Sequence, residues 1–257
     1  MAKYPVFIIG SPRSGTSALA EGMLRAGYNG FREGNFLSLL TVLGRFIDRH
    51  FATFGNDGPK VLASVVDKEA LMDSIAVVFR DVVNRHNPDA PWFDKTGNPE
   101  MIEAIPTLLE LWPESVFIFA KRRAIENIVS RLKKFPGHNF EYHCRDWARN
   151  MEAWRLMRDK IPRDKYVEVD QQDLIRDPTT AAAAIGHLLD LADANVAAMT
   201  QAFQKDRPQE TEAGTARRVL ALADLWDEPR RALFERLCGP EMKAYGYSFD
   251  ESYWEGA

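Results

Sequence analysis

The sequence predicts a three-layer α/β/α fold with a central parallel sheet, a helical insertion and a helical C-terminus. Three observations carry that prediction. Short, mostly apolar strand-like runs, Val6-Phe-Ile-Ile9, Ser115-Val-Phe-Ile-Phe-Ala120 and Tyr166-Val-Glu-Val169, alternate with stretches whose apolar residues recur at helical spacing. Strands alternating with helices belong to a mostly parallel sheet covered on both faces. Each run ends in glycine or polar residues, and in such sheets ligands sit at the carboxyl ends of the strands. The 257 residues, 46% of them apolar, suffice for one domain spanning the whole chain.

The first run opens Gly10-Ser-Pro-Arg-Ser-Gly-Thr-Ser17, and Ala18, Leu19, Met23 and Leu24 then follow in a helical pattern over residues 14–26. A buried strand, a tight loop and a helix N-terminus together hold a phosphate on backbone N–H groups, a P-loop-NTPase-like arrangement. A Walker A loop reads G-x-x-x-x-G-K-[ST]. Here Thr16 follows Gly15 directly, the lysine is missing, and Arg13 supplies a cation inside the loop. The loop therefore suits a phosphate other than that of a nucleoside triphosphate, with Pro12, Arg13, Ser14, Gly15, Thr16 and Ser17 as its binding residues.

Residues 27–36 are rich in glycine and too punctuated for regular structure. Two amphipathic helical patterns follow: Phe36, Leu39, Leu40, Leu43, Ile47, His50 and Phe51, then Leu71, Ile75, Val78, Phe79, Val82 and Val83. They form an insertion over about residues 34–90, which is either core and cap or also a lining for an acceptor; Phe36, His50 and Trp92 are the acceptor-side candidates. Trp92-Phe-Asp-Lys-Thr-Gly97 reads as a short strand, and residues 99–111 as one helix. Lys121-Arg-Arg123 ends the Ser115 strand and opens a helix with Ile125, Ile128, Val129 and Leu132 on one face. A long helix follows with Trp147, Met151, Trp154 and Ile161 on one side, Asp177-Pro178 opens another, and the last third is helical to about Gly246 with a polar break over 204–218.

A net charge of −4 and a pI near 5.8 argue against a nucleic-acid binder. Cys144 and Cys238 make neither a metal-ligand spacing nor a disulfide framework, which suits two reduced thiols in a cytoplasmic protein. No apolar run is long enough for a signal peptide or a membrane span. No apolar strand ends in an aspartate suited to support a Walker-type metal; Asp94 and Asp170 are the nearest candidates and both are weak, so no metal site is expected.

The three polar strand ends, 11–17, 94–97 and 121–123, then converge on one crevice. Glu33, in its glycine-flanked loop, is either a solvated side chain or a carboxylate facing the crevice that takes a proton from an acceptor hydroxyl. Lys95 points into the crevice or pairs with Asp94. Arg122 opens a helix and Ser130 lies two turns along it, where a guanidinium fork and a hydroxyl can share a phosphate.

Together these motifs resemble the sulfotransferases that use 3′-phosphoadenosine 5′-phosphosulfate (PAPS). The Pro-Arg-Ser-Gly-Thr-Ser17 loop resembles that family's 5′-phosphosulfate loop, with Arg13 at its lysine or arginine position. The segment from Phe119 to Phe135 resembles the 3′-phosphate motif, an arginine followed eight residues later by a serine, met by Arg122 and Ser130. It departs at Arg123 and Ala124, where an Asp/Asn-Pro pair is common. Phe31-Arg-Glu-Gly-Asn-Phe36 resembles the segment that carries the catalytic glutamate in heparan-sulfate-type enzymes, which implies Glu33 as base. Phe93-Asp-Lys-Thr-Gly-Asn-Pro99 resembles their Glu-Lys-Thr/Ser-Pro segment, which implies Lys95 beside the leaving phosphate. Gly97 stands where the small-molecule enzymes have their catalytic histidine, and Gln172 replaces a glutamate of the later strand–loop–helix. Arg217 and Arg218, in the polar break, match the family's cofactor-closing loop only loosely. The resemblance implies a metal-independent transfer of a sulfuryl group from PAPS, leaving 3′,5′-ADP, to a hydroxyl or amine of a small molecule, carbohydrate or lipid headgroup; it is silent on oligomeric state. The rival readings are a P-loop nucleotide or small-molecule kinase, which wants the missing lysine, and a non-catalytic nucleotide-binding regulatory protein, which needs no base.

Overall fold

The structure, a computed structural model, describes residues 4–87, 91–205 and 219–254. In chain order the first half runs β1 (Val6–Gly10), α1 (Thr16–Arg25), β2 (Asn29–Phe31), α2 (Leu39–Phe54), α3 (Lys68–His86), β3 (Trp92–Thr96), α4 (Pro99–Glu103) and α5 (Ile105–Leu111). The second half runs β4 (Val116–Lys121), α6 (Ala124–Lys134), α7 (Phe140–Met157), β5 (Tyr166–Asp170), α8 (Gln171–Arg176), α9 (Pro178–Leu188), α10 (Asp193–Lys205) and α11 (Glu228–Ala244).

All five strands are parallel, in the order β2-β3-β1-β4-β5. Because strand side chains alternate between faces, the sheet feeds two cores. Phe7, Ile9, Phe117 and Phe119 enter one of them with α4–α7 and α11, where Phe119 stacks on Trp154 at 4.5 Å between ring centroids. Val6, Ile8, Ile118 and Val169 enter the other with α1, α9 and α10. That double burial is why β1 and β4 read as unbroken apolar runs rather than alternating ones. β1 sits at the centre, with β3 on one side and β4 on the other, so the chain's direction of winding reverses there. The loop after β1 therefore opens at a switch point, where parallel sheets leave a crevice.

Two glycines permit close approaches that a side chain would block. A Cβ on Gly10, which has φ +134°, would lie 2.2 Å from the Ala120 carbonyl oxygen, and one on Gly22 would lie 2.5 Å from the Phe203 ring. The first lets the loop leave β1 tight against β4; the second brings α1 down onto α10.

The structure corrects the sequence reading in four places. Asn29-Gly-Phe31 is a strand, pairing with β3 from Trp92 to Asp94, although its composition reads as loop. The expected 99–111 helix breaks at Ala104 because Pro106 has no amide to continue the ladder from α4. The helix after the loop starts at Thr16, not residue 14, since Gly15 takes a left-handed conformation as its N-cap (φ 89°). Ile161 is buried beyond α7, after a short 3₁₀ turn at Arg158–Lys160.

Candidate active site

The loop Ser11–Ser17 is held in shape by one face of α6. Asn127 and Arg131, four residues apart, line up along that helix. Asn127 Nδ2 donates to the Pro12 carbonyl and to Ser14 Oγ, both at 3.0 Å. Arg131 donates to the same carbonyl at 3.3 Å, to Ser11 Oγ at 2.9 Å and to Asp146 at 2.6 Å. Ser14 is fully buried, and its N–H donates to the Ser11 carbonyl at 3.2 Å. Ser14 thus frames the loop from inside, which corrects the expectation that its amide faces a bound phosphate. The bend this framing imposes puts Arg13 at φ 72°, a left-handed conformation that an arginine rarely takes.

That conformation sends the Arg13 side chain toward α6, where its Nε donates to Ser130 Oγ at 2.9 Å. Arg122, at the amino end of the same helix, donates from NH1 to the Arg13 carbonyl at 3.1 Å. Arg13, 117 positions from Ser130 and 109 from Arg122, thus joins them in one cluster. Arg122 is buried; burial pulls its guanidinium down to about 10, the Arg13 charge adds to the fall, and Glu126 and Asp170 oppose it. Arg13 is lowered too, by burial. Arg122 Nε is buried with no hydrogen-bond partner among the described residues. Two desolvated guanidinium groups, one with an unused donor, beside a hydroxyl and a helix N-terminus, fit a phosphate group.

Arg123, the departure from the expected Asp/Asn-Pro pair, is fully buried and turns away from the crevice. It forms an ion pair with Glu126 and donates to the carbonyls of Leu220, Ser248 and Asp250. Glu126 in turn accepts from the Leu220 amide at 3.0 Å. This pair fastens two C-terminal segments to the start of α6.

The carboxyl end of β3 supplies the other half of the crevice. Lys95 is buried, and its ammonium contacts the Glu33 carboxylate, whose side chain is 62% exposed. Backbone geometry sets this pairing: the Gly34 N–H donates to the Lys95 carbonyl at 3.0 Å and the Asn35 N–H to Thr96 Oγ1 at 2.9 Å. Thr96 Oγ1 passes a hydrogen bond on to Asp94 at 2.6 Å. The Asp94 carboxylate lies so close to Gly34 that a Cβ there would fall 1.9 Å from Oδ2. Burial raises Asp94 to about 6, with the Glu33 charge adding to the rise and Thr96 and Lys95 resisting it. Asp94 is thus occupied in holding the Glu33 loop. Asp170 is likewise engaged, accepting from the Tyr247 hydroxyl at 2.7 Å and the Gln172 amide at 2.9 Å.

Residues 5–195 match the model of the sulfotransferase family. The chain belongs to that family. Solved structures agree in fold. A sulfotransferase domain from the curacin biosynthetic pathway shares 18% identity over 96% of this chain and 99% of its own, with TM-score 0.54. Sulfotransferase STF9 of Mycobacterium avium shares 13% over 97% and 79%, with TM-score 0.59. Mouse sulfotransferase SULT7A1, complexed with PAP, shares 12% over 95% and 85%, with TM-score 0.54. No curated protein sequence matches the chain.

On the acceptor side of this sulfotransferase the structure separates the three candidates. Phe36 is half-buried and stacks on Phe79 at 4.7 Å, three residues from Glu33. His50 is exposed on α2, its ring 4.9 Å from that of Phe54. Trp92 starts β3, at the end away from the crevice, and packs edge-on against Phe7 and Trp112 in the core. That burial removes it from the acceptor side. Arg217 and Arg218 lie outside the described residues. Asn127, Arg131 and Thr96 escaped sequence reasoning, and Asp94 entered it only as a metal support or as the partner of Lys95. The polar i, i+4 pair beside the Ile125/Ile128 face was the available signal for the first two. No helix among the described residues is long and apolar enough to cross a membrane.

Proposed function

We propose that this sulfotransferase moves a sulfuryl group from PAPS to an acceptor hydroxyl or amine, with Glu33 as general base. The observation that carries the reading is the Arg122–Arg13–Ser130 cluster, which joins the loop of β1 to the helix of β4 at a spot built for a phosphate. The bound donor supplies the sulfuryl group and the 5′-phosphate that departs from it. Arg122 and Ser130 hold the 3′-phosphate; Gly15, Thr16 and Ser17, at the amino end of α1, hold the 5′-phosphate. Glu33 takes the proton as the acceptor oxygen bonds to sulfur and the sulfur–oxygen bond to the 5′-phosphate breaks. Lys95, released from Glu33 as that carboxylate is neutralised, and Arg13 balance the charge gathering on the departing phosphate. PAP in the solved mouse neighbour supports the donor, and the Glu33–Lys95 contact supports the pairing of base and cation.

Thermal shift tests the donor. Stabilisation by 3′,5′-ADP without a divalent cation, larger than with 5′-AMP, is expected. Stabilisation by ATP with Mg²⁺ alone would favour the kinase reading instead. Transfer of ³⁵S from labelled PAPS tests the base. Glu33→Gln is expected to lower turnover ~10²-fold or more while the 3′,5′-ADP response persists; unchanged turnover would remove Glu33 from the mechanism.

A further inference from the structure

Ten of the fifteen large apolar residues exposed among the described residues fall between positions 39 and 78, so the exposure is concentrated in one part of the molecule. Its most regular element is α2. Leu39, Val42 and Phe46 follow the i, i+3, i+7 spacing of a single helix face, and Phe46 is 67% exposed. The other sides of α2 are committed elsewhere. Leu40 is buried, Thr41 Oγ1 donates to the Glu100 carbonyl at 2.7 Å, and Arg45 pairs with Glu100 and Glu103.

The same bonds place the start of this face. Asn35 on Thr96 and Thr41 on Glu100 bracket the turn from β3 into α4, so α2 begins at the crevice rim, six residues after Glu33. Phe31, also exposed, lies on the near side of Glu33. From Leu39 to Phe46 the helix rises ~10 Å. Between residues 31 and 87 there are seven basic and seven acidic side chains, so this region has no net attraction for an anionic membrane or a sulfated glycan. An apolar face that starts beside the base and runs outward, without excess charge, matches the tail of an acceptor.

We infer that the acceptor hydroxyl is borne on a long apolar chain that lies along the Leu39–Val42–Phe46 face of α2. The inference rests on the donor reading above and names its substrate class.

The test is ³⁵S transfer from PAPS to primary alcohols from butanol to decanol, with 3′,5′-ADP thermal shift as a parallel readout. In the wild type, kcat/KM is expected to rise with chain length, by up to ~4-fold per methylene. In Val42→Ser/Phe46→Ser, the decanol-to-butanol ratio should fall at least tenfold while the 3′,5′-ADP shift is retained. A flat chain-length profile, or a ratio that the double variant leaves intact, overturns the apolar acceptor with the donor reading standing. Loss of the 3′,5′-ADP shift in the wild type removes the donor reading and the acceptor inference together. Sedimentation showing a dimer that the double variant dissociates would assign the face to a second copy of the chain, and binding to neutral vesicles that depends on Phe46 would assign it to a lipid surface; either overturns the inference.

Discussion

Asp94→Asn should stabilise the protein, and by an amount that depends on pH. Asp94 is buried, and its folded-state value of about 6 lies above the usual 3.8. The folded protein therefore holds the Asp94 proton more tightly than the unfolded chain does. Stability falls as pH rises from 3.8 toward about 6, and above that the whole cost of an ionised, desolvated carboxylate is present. The difference corresponds to ~3 kcal/mol at pH 7.5. Asparagine keeps an oxygen to accept from Thr96 and carries no charge, so it should recover ~1–3 kcal/mol there. At pH 4 the gain should shrink below ~1 kcal/mol, because Asp94 is by then protonated in the folded protein. Urea unfolding of both proteins at the two pH values measures this. Glu168, which burial would raise but which Trp154, Lys121 and Arg158 hold low, titrates alike in both and cancels in the difference. A gain of equal size at both pH values, or a loss at pH 7.5, would refute the argument that burial governs Asp94.

Three other substitutions probe neighbouring parts of the same architecture. Gly34→Ala puts a methyl 1.9 Å from the Asp94 carboxylate, so the Glu33 loop must move; ~1–3 kcal/mol of stability should be lost, with turnover falling more than 3′,5′-ADP binding, as thermal melts and ³⁵S transfer would show. Arg123→Ala strands the buried Glu126 carboxylate and releases three carbonyls, and should cost ~3–5 kcal/mol in urea unfolding; a loss under ~1 kcal/mol would mean the pair does not anchor the C-terminal segments. Ser130→Ala should reduce the preference for 3′,5′-ADP over 5′-AMP by ~5- to 10-fold in calorimetry, leaving 5′-AMP affinity unchanged.

Continuous burial is what made β1 and β4 legible, since a strand covered on both faces writes an apolar run that little else can produce; β3 and β5 offered only a short apolar start before their polar ends. β2 had no such signature. It is a three-residue edge strand, and its Asn29 and Gly30 are tolerated because β3 alone sets the pairing. The placement of Arg13, Lys95 and Arg122 at one edge of the sheet followed from polar strand ends in a parallel sheet, a rule of topology rather than of side chains. The rest depended on tertiary contact. Arg123 reads as part of the polar strand end that faces the crevice and proves fully buried and turned away, because the three carbonyls it serves lie 97 to 127 residues away and leave no local trace. Asp94 reads as the partner of Lys95. It is instead turned to the opposite face of β3, where alternation puts it against Gly34.

A single helix frames the Ser11–Ser17 loop and carries Ser130, with Arg122 just ahead of its first turn, and this makes α6 a ruler. Asn127 and Arg131 grip the loop from the same rod that bears the second proposed phosphate site, so the span between the two sites is counted out in helical turns. Inserting one residue between Arg122 and Asn127 would swing the two groups ~100° out of phase, and no adjustment of the loop could restore both at once. Evolution can therefore retune the proposed acceptor face on α2 without touching this gauge, whereas a donor of different length would need a different helix.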